Sequence, residues 1–272
     1  MTAEKEEEQS AGSRWDPHQY LKFSDYRQRP ALELLARVPL IRPQVIYDLG
    51  CGSGHVTRII AERWPSAVVY GVDNSPDMLA RARTQPGGIH WLEADIRYWQ
   101  PDHPPDLLYA NATLHWIEKH EELFPRLLGF LRPGGCLAVQ MPLSWDAPSH
   151  RLMRETLARG GPGGRPLGTE ELRRSVGRKW VAEAETYYDL LVRYTRSLDI
   201  WETEYIQILE GENPVLEWVK GTALRPILTQ LDDREREIFL QEYGQRLRTA
   251  YPPRPDGRTL YPFRRLFIVA TV

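Results

Sequence analysis

The sequence is poor in cysteine, in long apolar runs and in excess charge of either sign. It has two cysteines, Cys51 and Cys136, among 272 residues, too few for the disulfide framework of a secreted domain. No apolar run approaches the roughly 20 residues that span a bilayer. With a net charge of -2, the chain lacks the dense basic face of a protein that binds nucleic-acid phosphates. We therefore expect a reduced, cytoplasmic protein that acts on small molecules and has neither nucleic-acid nor membrane partners.

The amino-terminal stretch lacks an apolar core. Residues 1–14 are acidic and polar, with three consecutive glutamates at 6–8, and fit neither a secretory signal nor a basic transit peptide. We expect a disordered acidic tail there. The hydrophobic content of 42% is enough for one large core with a cap, so residues 15–272 are predicted to form one domain.

A strand followed by a glycine-rich turn is the most informative stretch. Residues 45–54, V-I-Y-D-L-G-C-G-S-G, begin with an apolar β-branched run, which is typical of a buried strand, and end in a turn with three glycines. Glycines allow the turn and let a ligand approach main-chain atoms. Residues 55–64 then show helical spacing before Pro65. This pattern predicts a nucleotide-type site.

Two acids in this region favour a cationic ligand. Asp48 lies within the turn, where it would repel a phosphate and attract an α-ammonium group. Asp73 ends a second apolar strand at a distance where a carboxylate can bind both ribose hydroxyls. Asp73 could instead cap the next helix, although Ser75 before a proline suits that role better. The sign of the charge favours S-adenosylmethionine over NAD.

These residues, D-L-G-C-G-S-G followed by G-V-D-N-S-P-D-M-L-A, resemble the class I S-adenosylmethionine-dependent methyltransferases. The resemblance implies an α/β, Rossmann-like seven-stranded methyltransferase sheet with helices on both faces and a helical cap inserted before the last strand. Residues 45–141 would form the cofactor-binding core. The implied cofactor-binding residues are Asp48, Gly50, Cys51, Gly52, Asp73, Asn74, Met78, Asp95, Ile96 and Asn111. Cys51 could instead be inert packing, and Asp95 a solvated acid at the end of a third strand, 89–96.

The sequence changes character after Pro142. Cap or substrate elements are expected over about 142–197 and 210–260, and strands at 198–209 and 266–272. Residues 158–168 are too rich in glycine and proline for regular structure, and they predict a mobile or disordered loop.

Residues 15–40 precede the first strand and divide into two parts. The first part is aromatic and basic, and it either packs as ordinary structure or closes over a ligand as an N-terminal lid. The second is an amphipathic helix with Leu32, Leu35 and Ala36 expected to face the core.

Dispersed stretches narrow the resemblance to the trans-aconitate methyltransferase family. They include E-A-D-I-R-Y-W-Q-P at 93–101, A-N-A-T-L-H-W at 110–116, L-A-V-Q-M-P at 137–142 and R-L-F-I-V-A at 265–270. The likeness implies that the protein forms a methyl ester on a small polycarboxylate, trans-aconitate first among them. We expect a monomer or weak homodimer without a metal. Two alternatives stay open: methylation of another small-molecule acid or hydroxyl, and a non-catalytic S-adenosylmethionine-binding protein.

A tricarboxylate requires cations, and the planar fork of arginine matches a carboxylate. The resemblance implies Arg29, Arg225 and Arg265 for this role, and Arg27 is a fourth candidate, although each could be an ordinary surface arginine. The full set of expected substrate-binding residues is Tyr20, Arg27, Arg29, His115, Trp145, Arg225 and Arg265. Arg178, in the basic segment 170–179, is expected to lie away from the substrate.

A carboxylate substrate is already ionised at neutral pH, so no general base is required. Catalytic residues are then expected only to position the reactants. His115 is the one histidine placed to touch the chemistry. It would act as a general base if the substrate were a hydroxyl; the alternative is a ring packed beneath Trp116 with its nitrogens satisfied.

Overall fold

The structure, a computed structural model, describes residues 28–84, 87–221 and 223–272. Its helices and strands are, in chain order, α1 (Gln28–Ala36), β1 (Val45–Leu49), α2 (His55–Arg63), β2 (Val68–Asp73), α3 (Pro76–Arg83), β3 (Ile89–Glu93), β4 (Leu107–Asn111), α4 (His120–Phe130), β5 (Cys136–Pro142), α5 (Pro148–Arg159), α6 (Glu170–Val176), α7 (Ala184–Leu191), β6 (Ser197–Leu209), α8 (Pro214–Lys220), α9 (Arg225–Leu228), α10 (Asp233–Ala250) and β7 (Thr259–Thr271). Within those ranges, no helix has the length and apolar character to cross a bilayer.

The strands form one seven-stranded sheet in the order β3-β2-β1-β4-β5-β7-β6. β1 to β5 pair in parallel, whereas β7 runs antiparallel to both β5 and β6. The chain order reverses between β1 and β4, and ligands of open α/β sheets bind at such a switch point. The predicted seven-stranded sheet, with a helical insertion before its last strand, is confirmed.

Helices cover both faces of the sheet, so β1 is buried along its whole length. Its alternate side chains enter two different hydrophobic clusters. Tyr47 faces a cluster that includes Phe124 of α4, whereas Ile46 faces one that includes Leu34 of α1 and Ile60 of α2. Burial on both faces explains why β1 reads as a continuous apolar run.

We call the five helices α5, α6, α8, α9 and α10 the cap. They form a third hydrophobic cluster. Its members include Leu157 of α5, Leu172 of α6, Val215 of α8 and Phe239 of α10, together with Tyr261 of β7. The cap therefore has its own apolar core and is anchored to the sheet through a strand. Its helices fall in the segments that the sequence predicted for cap elements.

The glycine-rich segment 158–168 is folded against the cap, so the prediction of a mobile loop was wrong. Helix α5 continues to Arg159, and Leu167 is buried in the cap cluster. The Leu167 amide donates to the Leu157 carbonyl at 2.8 Å, and the Gly168 amide donates to the Glu235 carboxylate at 2.8 Å. A buried leucine and several hydrogen bonds thus hold a segment whose composition indicates disorder.

Two further predictions about elements need correction. β7 begins at Thr259, earlier than the predicted 266. Residues 259–264 pair with β6 alone, whereas residues 265–271 also pair with β5. Pro262 is tolerated in the first part because there is no second strand to which its backbone would have to donate a hydrogen bond. In α1, Ala36 is exposed; Ala31 and Leu34 face the core instead.

Candidate functional site

The glycine-rich turn after β1 places three residues in the left-handed region of backbone space. Gly50, Gly52 and Gly54 have φ of +74°, +54° and +76°. A Cβ at Gly50 would overlap the Thr113 side chain, and a Cβ at Gly54 would overlap the Trp91 ring. A Cβ at Gly52 would meet no atom within 4 Å. The turn is closed against the protein at two glycines and open at the third, which leaves room for a ligand.

Asp73 joins this turn to the end of β2. Its carboxylate accepts hydrogen bonds from the Gly52 amide at 2.8 Å and from the Ser75 amide at 2.9 Å. Ser75 caps α3, as predicted, by accepting from the Met78 amide at 3.4 Å. A carboxylate has about four lone-pair sites, so Asp73 keeps acceptor capacity for a ligand. Asn74 is exposed beside it, and Met78 is half-buried.

Asp48 belongs to β1 and lies beneath the turn, whereas the sequence placed it within the turn. It is buried and accepts a hydrogen bond from the Thr57 hydroxyl at 2.6 Å. Burial raises the pKa of Asp48 to about 7, against the lowering effect of the Thr57 bond. Burial also raises the pKa of the neighbouring Cys51 thiol, so this residue is an unreactive part of the packing.

Asp95 lies in the turn beyond β3, which ends two residues earlier at Glu93. The prediction of a strand that includes Asp95 was therefore wrong. Both carboxylate oxygens accept from the Arg97 Nε at 3.0 Å, and this pairing lowers the pKa of Asp95. Ile96 is buried next to it. Asp95 is thus already paired within the protein, through an exposed arginine.

The end of β4 combines backbone strain with an unsatisfied polar atom. Ala112 has φ of +52°, a region that side chains other than glycine rarely adopt, and its amide donates to the Gln140 carbonyl at 2.9 Å. The Oδ1 atom of Asn111 is buried without a hydrogen-bond partner in the described part of the chain. Such features concentrate at functional sites. The sequence could not have predicted this strain, because alanine is not a residue type that favours a positive φ.

A cavity of about 840 Å³ lies between the carboxyl ends of β4 and β5 and the cap. Four of the predicted substrate residues line it together: His115, Trp145, Arg225 and Arg265. Its walls also include Trp180, Trp218 and Tyr261. Tyr20 and Arg27 lie outside the described residues. The structure thus brings the predicted substrate residues from His115 onward into one place.

Arg265 is a buried arginine that has no acidic partner among the residues that the structure describes. It is 6% exposed, its Nη1 donates to Gln140 Oε1 at 2.9 Å, and its Nε has no hydrogen-bond partner among the described residues. The guanidinium carbon lies 4.7 Å from the centroid of the Phe263 ring. Burial lowers the pKa of Arg265 to about 10, so it remains charged at neutral pH. An unpaired buried charge is costly, and an anionic ligand would remove that cost.

His115 packs against Trp116, with ring centroids 4.7 Å apart. Its Nδ1, however, is buried without a partner in the described residues, so the prediction of satisfied nitrogens was wrong. Burial, together with the nearby Arg265 charge, lowers the pKa of His115 to about 3. The imidazole is therefore neutral at neutral pH and a weak base.

Two arginine predictions were reversed by the structure. Arg29 does not line the cavity; its side chain is 58% exposed and its Nε pairs with Glu33 at 2.8 Å. Arg178, expected to lie away from the substrate, lines the cavity and pairs with Glu118 at 3.3 Å. Arg29 is held by an acid one helical turn away, whereas Arg178 is carried to the cavity by the folded segment after α6.

Sequence reasoning missed Arg154 and His150, which α5 carries to the cavity. The Arg154 guanidinium stacks on Trp145 with its carbon 3.7 Å from the ring centroid. A basic residue on an amphipathic helix has no local signal that separates it from a surface residue.

Comparisons with known proteins agree with this geometry. Residues 46–135 match a family model described as a methyltransferase domain. The chain is 48% identical over 260 residues to the trans-aconitate 2-methyltransferase of Pseudomonas aeruginosa (strain UCBPP-PA14), covering 96% of this chain and 94% of that relative. It is also 48% identical over 264 residues to the trans-aconitate 2-methyltransferase of Streptomyces avermitilis, covering 94% and 96%.

Solved structures share the fold at low identity. The YcgJ protein of Bacillus subtilis has a TM-score of 0.56 at 12% identity, covering 89% of this chain and 97% of its own. A phosphoethanolamine N-methyltransferase 2 of Haemonchus contortus in complex with S-adenosylhomocysteine has a TM-score of 0.51 at 15% identity, covering 89% of this chain and 52% of its own. These solved structures show the fold alone. The two relatives at 48% identity show the family, and the chain belongs to the trans-aconitate 2-methyltransferase family.

Proposed function

We propose that this protein transfers a methyl group from S-adenosylmethionine to one carboxylate of trans-aconitate and forms a methyl ester. The observation that carries the proposal is Arg265, a buried guanidinium in the cavity beside the end of β4, which has no ion-pair partner in the described part of the chain. A site of this kind selects an anion. The name that the family's members share supplies the identity of that anion.

Residues at the carboxyl ends of β1 and β2 and in the glycine-rich turn fit the cofactor. The Gly52 position is open, Asp73 retains acceptor capacity for ribose hydroxyls, and Asp48 supplies a negative charge for the amino group. When bound, S-adenosylmethionine supplies a methyl group activated by a sulfonium, which a carboxylate oxygen takes up as the carbon–sulfur bond breaks and leaves a neutral thioether. We assign residues 45–141 to the cofactor, and about 142–197 and 210–260 to the substrate.

Arg265 and Arg225 both line the cavity, and neither has an ion-pair partner within the described residues. We assign Arg265 to a carboxylate that is not methylated, because a guanidinium on the reacting oxygen would lower its nucleophilicity. Its hydrogen bond to Gln140 fixes the direction of the guanidinium. Binding a distant carboxylate rigidly orients the reacting one, and alignment of this kind can supply roughly 7–11 kcal/mol.

No residue of the cavity is required to remove a proton, since a carboxylate is ionised at neutral pH. The alternative of a hydroxyl substrate would need His115 as a general base. A pKa of about 3 makes this imidazole a poor base at neutral pH, which supports the carboxylate. His115 and the cap then serve to orient the substrate and to exclude water. Whether residues 15–40 close over the ligand remains a prediction.

The direct test is incubation of the protein with S-adenosylmethionine and a panel of tricarboxylates, dicarboxylates and hydroxyl compounds, read by mass spectrometry. We expect a methyl ester on trans-aconitate at a rate that depends on enzyme concentration. Methylation of a hydroxyl compound with no ester from any carboxylate would contradict the proposal. The Arg265→Met variant is the matched control, because it removes the charge and keeps much of the side-chain volume.

A further inference from the structure

Arg154, on α5 of the cap, is held in the cavity by two contacts with Trp145. Its guanidinium stacks on the indole ring, and its Nη2 donates to the Trp145 carbonyl at 3.0 Å. A cation–π contact together with a hydrogen bond leaves a guanidinium little freedom. Arginine has five N–H donors, and among the described residues one hydrogen bond from Arg154 is found, so the side chain is held while donors remain for a ligand.

Arg154 also lacks an acidic partner at ion-pair distance in the part of the chain that the structure describes. Two other cations at the cavity are neutralised: Arg178 pairs with Glu118, and Lys179 pairs with Asp146 at 3.5 Å. Burial lowers the pKa of Arg154, as expected for a cation partly removed from water. Its charge is thus available to a ligand.

Two imidazoles that line the cavity, His150 and His115, each experience the charge of one of these arginines. Burial, together with the charge of Arg154, lowers the pKa of His150 to about 4. Burial, together with the charge of Arg265, lowers the pKa of His115 to about 3. Arg154 comes from the cap and Arg265 from the sheet. The two histidines are neutral at neutral pH and therefore add no positive charge to that of the two arginines.

We propose that Arg154 is the cap-side ligand of the substrate, so that one carboxylate binds Arg154 while another binds Arg265 and the substrate bridges the cap and the sheet. This inference rests on the proposed function and adds a rule of specificity. The site selects molecules with two carboxylates at a fixed separation, and Trp145 is a positioning residue for Arg154.

The test measures binding without turnover, by calorimetry on the full chain saturated with S-adenosylhomocysteine. The ligands are trans-aconitate and three unsaturated dicarboxylates that each lack a different carboxylate of it: glutaconate, mesaconate and itaconate. Arg154→Met should raise the Kd of trans-aconitate at least about tenfold, because a carboxylate loses its charged partner. For one dicarboxylate, the one that lacks the group bound by Arg154, the rise should stay below about threefold.

A second variant and a control make the result specific. Arg265→Met should spare a different dicarboxylate from the one that Arg154→Met spares. Arg151→Met is the matched control, since Arg151 lies on the same helix, is exposed and pairs with Glu155 at 3.1 Å. It should change the Kd less than about twofold.

The inference is overturned if Arg154→Met leaves the Kd of trans-aconitate unchanged, or weakens all three dicarboxylates equally, or spares the same one as Arg265→Met. Ester formation by the wild-type protein is assayed separately. Binding of trans-aconitate without ester formation would contradict the proposed function alone, because the calorimetric pattern needs no turnover.

Discussion

The carboxyl edge of the sheet has an acidic half and a basic half. Asp48 and Asp73, on β1 and β2, face the glycine-rich turn. Arg265 on β7, together with Arg154 and Arg225 from the cap, faces the cavity on the other side of β4. The two halves meet at Asn111.

This polarity matches two ligands of opposite charge. The cofactor carries cationic amino and sulfonium groups, and the proposed substrate carries carboxylates. In each half, burial also disfavours the charged form of one group in the ligand-free protein. It raises the pKa of Asp48 and lowers that of Arg265. Both halves therefore hold groups suited to a ligand at some cost to the stability of the ligand-free protein.

Arg265→Met should have the largest effect of the changes that separate the two halves. We expect kcat/KM for trans-aconitate to fall at least about 100-fold, because a buried carboxylate would lose its charged partner. The unfolding free energy should rise by about 1–3 kcal/mol, since an unpaired buried charge is replaced by an apolar chain. Kinetics and chemical denaturation measure the two effects. A loss of both activity and stability would mean that Arg265 is structural.

Asp73→Ala should weaken S-adenosylmethionine binding by roughly 10- to 100-fold and leave the cavity cations untouched. The reason is the loss of a charged acceptor that also holds the Gly52 amide. Calorimetry gives the Kd. Asp77→Ala is the control, because Asp77 is an exposed aspartate nearby in sequence, in the first turn of α3. An affinity equal to that of the control would remove Asp73 from the site.

Asp48→Asn should have a smaller effect that depends on pH. The pKa of Asp48 is about 7 in the folded protein, so the charged form that attracts an ammonium group accumulates only as pH rises through 7. Cofactor affinity of the wild-type protein should therefore increase about tenfold or less from pH 6 to pH 8. The Asn variant should show no such increase. An identical pH profile for both proteins would contradict this role.

The same substitution should change stability in the opposite direction. A raised carboxyl pKa stabilises the fold at pH values below its ordinary pKa near 4, and this contribution is lost as pH rises through 7. The Asn variant should match the wild-type protein at pH 4 and exceed it by roughly 1–3 kcal/mol at pH 8. Denaturation at the two pH values tests the sign.

Arg29→Lys should have the smallest effect, less than about twofold on kcat/KM, because Arg29 is exposed and paired with Glu33 outside the cavity. Arg265→Lys is the contrast and should lose at least about tenfold, since an ammonium cannot reproduce the fork. Steady-state kinetics compare the two. Equal losses would restore Arg29 to the substrate site.

The acidic half could be predicted because its residues are neighbours in sequence. A strand, a glycine-rich turn and a helix carry Asp48 and the glycines together, and a second such unit carries Asp73. Local spacing therefore determines where these groups lie. What spacing could not show is burial, which places Asp48 beneath the turn and raises its pKa.

The basic half is assembled from distant segments, and sequence reasoning was weaker there. Arg154 on α5 and Arg265 on β7 meet only after the cap has packed on the sheet. The error on Arg29 was avoidable, because Glu33 lies four residues later in a helix that the sequence predicted. The segment 158–168 was misread because composition does not show that Leu167 has a hydrophobic site to enter.

The central claim is that the two halves of the edge bind different ligands. Calorimetry on Asp73→Ala and Arg265→Lys, each titrated with S-adenosylhomocysteine and with trans-aconitate, tests it most directly. We predict that Asp73→Ala loses affinity for S-adenosylhomocysteine only, and that Arg265→Lys, saturated with S-adenosylhomocysteine, loses at least about tenfold for trans-aconitate only. An Arg265→Lys variant that binds trans-aconitate as tightly as the wild-type protein would contradict the account.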